Sequence, residues 1–466
     1  MRTENQKKKK NKKAGTIIRV VVGILFFYII SAAVPPLFQK EVRGEVTIDY
    51  GSENTAEERI KLIDDNKEAL LWRLRLIENA ENSIIMSTFD FRDDMSGRDI
   101  MSALNEAAGR GVHVKILVDG IAGERHLNNS DSFKELTENE NIEVKFYNKI
   151  NMLTPWKGNY RMHDKYLIAD DKAFILGGRN TFDLFLGEYG SSQNEDRDIL
   201  VYETEEGKGS SYIQLVNYFE EIWELNCCKR YTSRRNYNES LRNHYTKMKV
   251  RYGELQEETD WVSETIAAEG ISLLSNPINA SNKEPVLWNQ MVSIMGTNSE
   301  VTIISPYIVM NDDMYDDIKE LEKNDTDISV ITNAHENGAN PFGCTDYINE
   351  KDEILNSGVR VYEYWGRHSL HTKTVLVGND ISIVGSFNLD MRSTYLDTEL
   401  MLCIKSSELN EMLKEKAQDQ MDQSKCVESG KEDFYGKDYE IRTIRKDKKI
   451  QYSILRRLIK PFRQLL

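Results

Sequence analysis

Two stretches of this chain repeat one pattern, and they constrain its fold more than any other feature. The first, at 163–180, reads HDKYLIADDKAFILGGRN, and the second, at 371–388, reads HTKTVLVGNDISIVGSFN. Each begins His-x-Lys, continues through apolar residues to a glycine and ends on Asn. The copies are separated by 208 residues at each of these positions. Such a match at one fixed spacing indicates an internal duplication.

The segments before each copy also repeat in the same order. The predicted strands are 82–91, 111–120 and 141–148 before the first copy, and 300–309, 327–333 and 358–365 before the second. Helix-compatible segments alternate with these strands, a pattern typical of a mostly parallel sheet flanked by helices. We therefore predict an α/β protein of two homologous halves, each with a mostly parallel mixed sheet, that meet about a pseudo-twofold axis.

Changes in composition divide the chain into seven predicted segments. They are a basic N-terminus (1–16), a transmembrane anchor (17–38), a linker (39–55), a first half (56–235), a helical connector (236–268), a second half (269–405) and a charged tail (406–466). The tail ends in IQYSILRRLIKPFRQLL, which forms a basic amphipathic helix at helical spacing. Such a helix either lies on an anionic bilayer or packs on the domain beside it.

The anchor prediction depends on an uncharged stretch near the N-terminus. No charged residue occurs from 20 to 38, and a basic run precedes this stretch at 2–13. About 20 apolar residues span a bilayer core, and a basic flank predicts that the N-terminus stays in the cytoplasm. The alternative is a cleaved signal peptide. We favour a single-pass anchor because no clear A-x-A site precedes Pro35 and Pro36.

Charge and cysteine content narrow the range of functions. Residues 1–40 carry nine Lys and Arg and one Glu, which gives them a net charge of +8. Because the whole chain has a net charge of −15, the remaining 426 residues have a net charge of −23. So acidic a body disfavours nucleic acid as a partner, because nucleic-acid binding needs a basic surface. The five cysteines and seven histidines match no zinc or other metal pattern. We predict no metal and no cofactor.

The residue types in the repeat suit phosphoryl chemistry. If the halves pack about the pseudo-twofold axis, six side chains converge on one phosphate-sized site: His163, Lys165, Asn180, His371, Lys373 and Asn388. Lysines and amides stabilise the charge that gathers on phosphorus in the transition state. One imidazole can attack phosphorus, and the other can move the proton of the alcohol.

Each histidine also needs a carboxylate that fixes its tautomer. The candidates that follow the two copies are Asp198 and Glu399. A single His-x-Lys pair on an apolar strand is more often structural than catalytic. Two copies with matched Gly and Asn reverse that expectation.

With these residues in view, the chain resembles the phospholipase D superfamily. HDKYLIADDKAFILGGRN resembles its motif His-x-Lys-x4-Asp-x6-Gly-Gly/Ser-x-Asn, with Asp170 in the Asp place, and the similarity covers nearly all of 56–405. Within that superfamily the chain looks most like bacterial cardiolipin synthases. The stretches that carry this likeness are LRLIENAENSIIMSTFDF, AAGRGVHVKILVDG, GGRN followed by EDRD, and GSFNLDMRSTYLDTE.

The resemblance implies a phospholipase D-like fold and a metal-free, two-step transfer through a phosphohistidine. It implies that His163 is the nucleophile, that His371 is the general acid and base, and that Asp170 belongs to the catalytic motif. The implied phosphate-binding residues are Lys165, Asn180, Lys373, Ser386 and Asn388. The second copy departs from the motif, because Gly378 stands where the family has Asp. In the family that Asp is more a structural than a chemical part of the motif, so the resemblance implies a weakened, not an abolished, second half.

The first functional hypothesis is therefore a phosphatidyltransferase anchored in a bacterial cell membrane, with its catalytic part outside. Cardiolipin synthases of this kind join two phosphatidylglycerols and release glycerol, so phosphatidylglycerol and the bilayer are the expected partners. A second hypothesis is a phosphodiesterase of the same superfamily that hydrolyses phospholipid or, less in keeping with the charge, nucleic acid. A third is a non-catalytic lipid-binding scaffold, which only Gly378 supports.

Overall fold

The computed structural model describes residues 57–232, 240–256, 258–441 and 445–466, together with 16, 19–28, 30, 31, 34 and 38 near the N-terminus. Of the predicted anchor at 17–38, the stretch 19–28 is helical, and the rest lies partly outside the described residues. Within the described residues no helix is long and apolar enough to cross a membrane. Nearly all of the predicted segments 1–16 and 39–55 lie outside the described residues.

The first half is built around a nine-stranded sheet. The strands of this half are β1 (Glu58–Ile63), β2 (Ser83–Thr88), β3 (His113–Asp119), β4 (Ile142–Tyr147), β5 (Tyr166–Ala169), β6 (Ala173–Gly177), β7 (Asn194–Glu195), β8 (Asp198–Glu203), β9 (Cys228–Arg230) and β10 (Ile266–Ala267). Strand β7 lies outside the nine-stranded sheet, in a separate two-stranded sheet. Its helices are α1 (Asn66–Asn79), α2 (Met95–Gly109), α3 (Gly120–His126), α4 (Asp131–Thr137), α5 (Ser210–Trp223) and α6 (Leu241–Arg251). Short 3-10 turns occur at Pro155–Asn159 and Gly253–Gln256.

The second half repeats this architecture. Its strands are β11 (Gly270–Ser275), β12 (Glu300–Ile304), β13 (Asp327–Asn333), β14 (Arg360–Tyr364), β15 (Ser369–Leu370), β16 (Thr374–Val377), β17 (Ile381–Gly385), β18 (Leu400–Lys405), β19 (Ser424–Val427) and β20 (Phe434–Tyr435). Its helices are α7 (Val286–Met295), α8 (Asp312–Lys323), α9 (Pro341–Asn356), α10 (Met391–Tyr395), α11 (Ser407–Asp422) and α12 (Lys446–Leu458), followed by a 3-10 turn at Lys460–Leu465.

The strand orders confirm the duplication. The first sheet runs β10-β1-β8-β6-β5-β2-β3-β4-β9, and the second runs β11-β18-β17-β16-β12-β13-β14-β19-β20. Eight successive strands correspond, and in both sheets the strand of the His-x-Lys motif lies next to the strand that opens the parallel segment. The segment predicted as a charged tail contributes α11 and β19 to the second half.

The prediction of mostly parallel sheets is wrong. Only β2-β3-β4 and β12-β13-β14 pair in parallel, and every other pair in the two large sheets is antiparallel. The reason is the length of the connections: a parallel pair needs a long crossover, whereas the few residues between β5 and β6 allow only a hairpin. Parallel pairing of neighbouring strands is therefore confined to the three-stranded centre of each half.

The two halves share one apolar core. A single cluster of buried residues joins Leu117, Tyr166 and Phe219 of the first half to Ile331 and Leu402 of the second. Helices α5 and α11 contribute buried side chains to this cluster. The interface that holds the halves together thus contains a buried apolar cluster, which fixes the relative position of the two motifs.

Candidate active site

Backbone pairing across the interface places each motif histidine against the other half. In the first half, Met162 forms a parallel bridge with Thr398, so His163 lies beside Glu399. In the second half, Leu370 pairs with Glu195 through the small β7–β15 sheet, so the next residue, His371, lies beside Asp196. Both histidines sit where the parallel strands β2 and β12 end, the edge at which α/β sheets carry their sites.

Each histidine is held by a carboxylate from the other half. His163 Nδ1 lies 2.9 Å from Glu399 Oε1, and His371 Nδ1 lies 2.6 Å from Asp196 Oδ2. Both carboxylate side chains are fully buried, whereas the histidine side chains retain 11% and 21% exposure. A carboxylate on Nδ1 holds a proton there and leaves the lone pair of Nε2 for a substrate. Reciprocal pairing of this kind needs both halves.

The prediction that Asp198 supports a histidine is wrong, because strand register places Asp196 there. Gly177 of the first motif pairs with Asp198, and Gly385 of the second pairs with Met401. Asp196 and Glu399 each stand two residues before that paired position, so they are the equivalent residues. Asp198 instead accepts ion pairs from Arg73 at 2.9 Å and from Arg179 at 3.2 Å.

The two lysines are buried beside their own histidines. The ammonium groups of Lys165 and Lys373 donate to the carbonyl oxygens of His163 and His371, respectively. Burial lowers the pKa of Lys165 to about 7 and that of Lys373 to about 8. A bound phosphodiester anion would supply the negative charge that favours the ammonium form of both lysines.

The two carboxylates differ in charge state. Burial alone would raise the pKa of Asp196, but Lys373 and His371 hold it down at about 2. Burial raises the pKa of Glu399 to about 7, against the opposing effect of Lys165 and two serine hydroxyl groups. Asp196 is therefore ionised at every physiological pH, whereas Glu399 titrates near neutrality.

Both imidazoles are neutral at pH 7 in the chain alone. Burial and Lys373 lower the pKa of His371 to about 4, although Asp196 acts in the opposite direction. Burial and Lys165 lower the pKa of His163 well below its ordinary value. A neutral imidazole has the free lone pair that a nucleophile or a base requires.

The amides lie at the same edge. Asn180 Oδ1 accepts from the backbone N–H of Asp90 at 3.3 Å. Asn388 Oδ1 is buried and has no hydrogen-bond partner among the described residues. A buried acceptor without a donor costs free energy, so this oxygen suits a donor such as an alcohol. Across the described ranges, no three His, Cys, Asp or Glu side chains are grouped as metal ligands.

Ser386, predicted to bind phosphate, has another contact. Its hydroxyl donates to Glu399 Oε2, and the hydroxyl of Ser393 donates to Glu399 Oε1 at 2.6 Å. Ser386 therefore holds the carboxylate that contacts His163, and its binding of phosphate stays a prediction. Its counterpart in the first half is Gly178, where a side chain would collide with Asp196.

Asp170, assigned to the catalytic motif by resemblance, lies at the far end of β5 from His163. Its carboxylate accepts three backbone N–H groups at 2.8 Å, those of Glu81, Asn82 and Ser83, and so fixes the start of β2. It adopts a left-handed conformation, with φ of 49°. These contacts are structural, which agrees with the expectation that the Asp of the motif is more a structural than a chemical part of it.

Gly378 is the counterpart of Asp170 and shares its left-handed conformation, with φ of 55°. The side chain of Asn298 occupies the space beside it, so that a Cβ at 378 would collide with Asn298. Asn298 Oδ1 also accepts from the backbone N–H of Glu300 at 3.4 Å. In the second half the amide of Asn298 therefore takes the place of the carboxylate of Asp170 as the acceptor at the start of the neighbouring strand. Gly378 gives no reason to regard this half as degenerate.

We expect Asp170→Ala to reduce stability while the folded enzyme keeps its turnover. Loss of an acceptor for three N–H groups costs about 1–3 kcal/mol, and the site lies at the other end of β5. Urea unfolding gives the free energy, and kcat is measured on the folded fraction. The matched control is Asp171→Ala, the next residue, whose carboxylate accepts from the hydroxyl of Tyr212. A large fall in kcat at unchanged stability would return Asp170 to the catalytic set.

Sequence reasoning missed Asp196, Ser393 and the aromatic walls of the site. The ring of Phe89 meets that of His163 edge-on at 5.1 Å, and Phe185 meets His371 in the same way at 4.8 Å. Asp196 stands inside the stretch EDRD, so a signal was present. The register that distinguishes it from Asp198 was not visible before the strands were paired.

Comparison with known proteins agrees with this geometry. The family described as "Cardiolipin synthase, PLD-like domain" matches residues 74–223 and 291–421, one match in each half. The chain belongs to this family. It is 25% identical over 404 residues to cardiolipin synthase C of Escherichia coli, covering 75% of this chain and 82% of that one. It is also 25% identical to a cardiolipin synthase of Alkalihalophilus pseudofirmus, covering 73% and 61%.

A solved structure supports the fold. Phosphatidylserine synthase of Haemophilus influenzae aligns with a TM-score of 0.61 at 15% identity, covering 89% of this chain and 98% of that one. The resemblance to the phospholipase D superfamily, first drawn from the motifs, is confirmed. The family and the cardiolipin synthase relatives together identify the chain as a phosphatidyltransferase of this superfamily.

Proposed function

We propose that this cardiolipin synthase-like enzyme makes cardiolipin from two phosphatidylglycerols through a phosphohistidine. The observation that carries the proposal is the reciprocal pairing of His163 with Glu399 and of His371 with Asp196, with two buried lysines beside them. The family and the named relatives support the choice of a phospholipid substrate.

In the first step, His163 Nε2 attacks the phosphorus of one phosphatidylglycerol. The P–O bond to the terminal glycerol breaks, and His371 gives that oxygen a proton, so that glycerol leaves. His371 is neutral in the chain alone and must gain a proton before this step, and the ionised carboxylate of Asp196 supports the imidazolium that forms. The anionic substrate further favours this charged form.

In the second step, the glycerol hydroxyl of another phosphatidylglycerol attacks the phosphatidyl group on His163. His371, now neutral, takes the proton of that hydroxyl, and the P–N bond breaks to release cardiolipin. Lys165 and Lys373 stabilise the negative charge of both transition states.

We propose that the enzyme is a single-pass protein of a bacterial cell membrane, with its N-terminus in the cytoplasm and its catalytic part outside. The uncharged stretch 20–38 and the basic run before it support this orientation. The described part of that stretch is helical at 19–28 and exposes its large apolar side chains, such as Phe27 at 73%.

The test is product analysis. Detergent-solubilised full-length protein is incubated without added metal with phosphatidylglycerol labelled in its terminal glycerol and its acyl chains. Cardiolipin and free glycerol in equal amounts support the proposal. Phosphatidic acid as the sole lipid product would make the enzyme a hydrolase, and bound lipid without turnover would make it a scaffold.

Ionisation of Glu399 is expected to set the acidic limb of the pH profile. The ionised carboxylate stabilises the charge that His163 gains on attack, so kcat/KM rises as pH rises through about 7. Ser386→Ala removes a hydrogen bond to the charged form, raises the pKa of Glu399 and moves the limb to higher pH. One such bond is worth about 1 kcal/mol, which corresponds to roughly 0.7 pH units.

The matched control for this prediction is Ser382→Ala. Ser382 lies on β17, which ends at Gly385, the residue before Ser386. The hydroxyl of Ser382 accepts from Asn410 and does not contact Glu399. An acidic limb that stays in place in Ser386→Ala, or moves equally in Ser382→Ala, would contradict the role given to Glu399.

A further inference from the structure

The C-terminal helix carries features that the active site does not use. We propose that α12 and the turn after it form a docking surface for an anionic phospholipid bilayer beside the active site. This proposal rests on the proposed function for the class of lipid, because it supplies the surface on which that lipid is met.

The helix is fixed on the second half along one face. Tyr452 is 5% exposed, and its hydroxyl donates to the carbonyl oxygen of His335. Ile459 is also 5% exposed, and Arg463 Nε donates to Asp346 Oδ1 at 2.8 Å. These contacts fix the rotation of α12 about its axis, so its other faces point away from the second half.

The face of α12 turned away from the domain is apolar. Ile450, Ile454 and Leu458 follow one another at intervals of four residues and are 63%, 56% and 60% exposed. Phe462 continues the row at 43%. Residues four apart share a helix face, and a helix on a water-facing surface normally turns such a row toward the core. An interfacial helix turns it into the bilayer instead.

A basic cleft of about 540 Å³ lies between this row and the domain. It opens between α9 and α12, and its polar lining includes Lys449, Arg456, Arg457, Lys460, His335 and Asn349. Within the described ranges, no carboxylate lies at ion-pair distance from Lys449, Arg457 or Lys460. In a chain of net charge −15, a basic cluster with three cations outside ion pairs, next to an exposed apolar row, fits the phosphate of an anionic lipid headgroup.

The surface adjoins the active site. Arg392 donates from its backbone N–H to the carbonyl oxygen of Leu466 at 3.0 Å, and its guanidinium pairs with Asp397 at 2.8 Å. Asp397 stands two residues before Glu399, the partner of His163. Docking at α12 would therefore hold the bilayer close to the histidines.

A loop of the first half also exposes apolar side chains. Ile150, Met152 and Leu153 follow β4 and are 52%, 71% and 86% exposed. The chain after this loop reaches Tyr160, which shares an apolar cluster with Leu466. Both halves thus expose apolar side chains, and the end of the tail packs against a cluster that includes Tyr160 of the first half.

Hydrogen exchange of the full-length protein tests the proposal without reference to activity. The protein is placed in bilayer discs of phosphatidylcholine alone or with added phosphatidylglycerol, and exchange is followed at 446–466. Any anchor is present in both discs, so the difference reports the tail. We expect slower exchange with phosphatidylglycerol and loss of this difference at high salt. Equal exchange in the two discs would overturn the proposal, as would equal protection by inorganic phosphate in detergent.

Two pairs of substitutions locate the effect. Lys449→Glu with Arg457→Glu removes the charge of the cleft, and Ile454→Asp with Leu458→Asp removes the apolar row. Each basic residue near an anionic surface contributes about fivefold to binding, so the first pair lowers the protection roughly thirtyfold or more. The control is Val250→Asp, an apolar residue 82% exposed on α6, which should keep wild-type exchange at 446–466. Protection that survives in both pairs would refute the surface.

The same samples separate this proposal from the proposed function. Absence of cardiolipin synthesis in detergent would reject the function and leave the exchange result standing. Equal exchange in the two discs, with cardiolipin still formed in detergent, would reject the docking surface alone.

Discussion

Changing His163 or His371 to Asn is expected to lower transfer from phosphatidylglycerol by about four orders of magnitude or more. The first substitution removes the atom that bonds to phosphorus, and the second removes the proton donor. Because the two act on one phosphorus atom as a unit, the double variant should be scarcely slower than either single variant. Single-turnover rates on labelled lipid give the comparison.

The matched control for these variants is His244→Asn. His244 Nε2 also contacts a buried carboxylate, Asp99, at 2.6 Å, but it lies on α6 away from the motifs. We expect this variant to lose stability and keep its rate. Activity within about tenfold of wild type in either motif variant would mean that the chemistry does not pass through that histidine.

The second large effect distinguishes two aspartates that stand two residues apart. Asp196→Asn keeps the shape of the side chain but no longer supports the charged form of His371, and comparable substitutions elsewhere lower kcat by about 10⁴. Asp198→Asn should instead cost about 3–5 kcal/mol of stability, because Arg73 and Arg179 lose a buried partner. The folded fraction of Asp198→Asn should retain its kcat.

Both variants are measured in the same way, by urea unfolding and by kcat per folded molecule. The structure predicts that one variant fails in rate and the other in stability. A large loss of kcat in folded Asp198→Asn, with Asp196→Asn active, would reverse the assignment that strand register gives.

The duplication and the catalytic residue types were open to prediction from the sequence, because they depend on local pattern. His-x-Lys, Gly and Asn recur at 208 residues, and each copy folds into the same hairpin. The direction of the strands was not open to prediction in the same way. Alternation of strands and helices described the centre of each sheet correctly, but the hairpins and edge strands around it are antiparallel.

Asp198 shows why residue counting failed at the site. The interval from the motif Gly to its paired strand residue is 21 residues in the first half, from Gly177 to Asp198, and 16 in the second, from Gly385 to Met401. A longer loop in the first half shifts the count, and only the hydrogen-bonded register restores the equivalence. The exchange of carboxylates between halves is a contact between distant residues, such as His163 and Glu399, and no local pattern encodes it.

Gly378 gives the same lesson for a departure from a motif. The sequence showed a missing carboxylate and so suggested a weakened second half. The structure shows that Asn298, 80 residues earlier in the chain, occupies the space and accepts the N–H of Glu300. Compensation by a residue so distant in sequence becomes visible only when the strands are packed.

Trapping the covalent intermediate tests the central claim most directly, namely that two halves build one site with divided roles. A phosphatidyl ester with an activated phenol as leaving group needs no proton from His371. In His371→Asn we expect the ester to release phenol once and to leave a phosphatidyl group on the peptide that contains His163, seen by mass spectrometry at alkaline pH. His163→Asn should show no adduct. An adduct on His371 in His163→Asn, or none in either variant, would contradict the account.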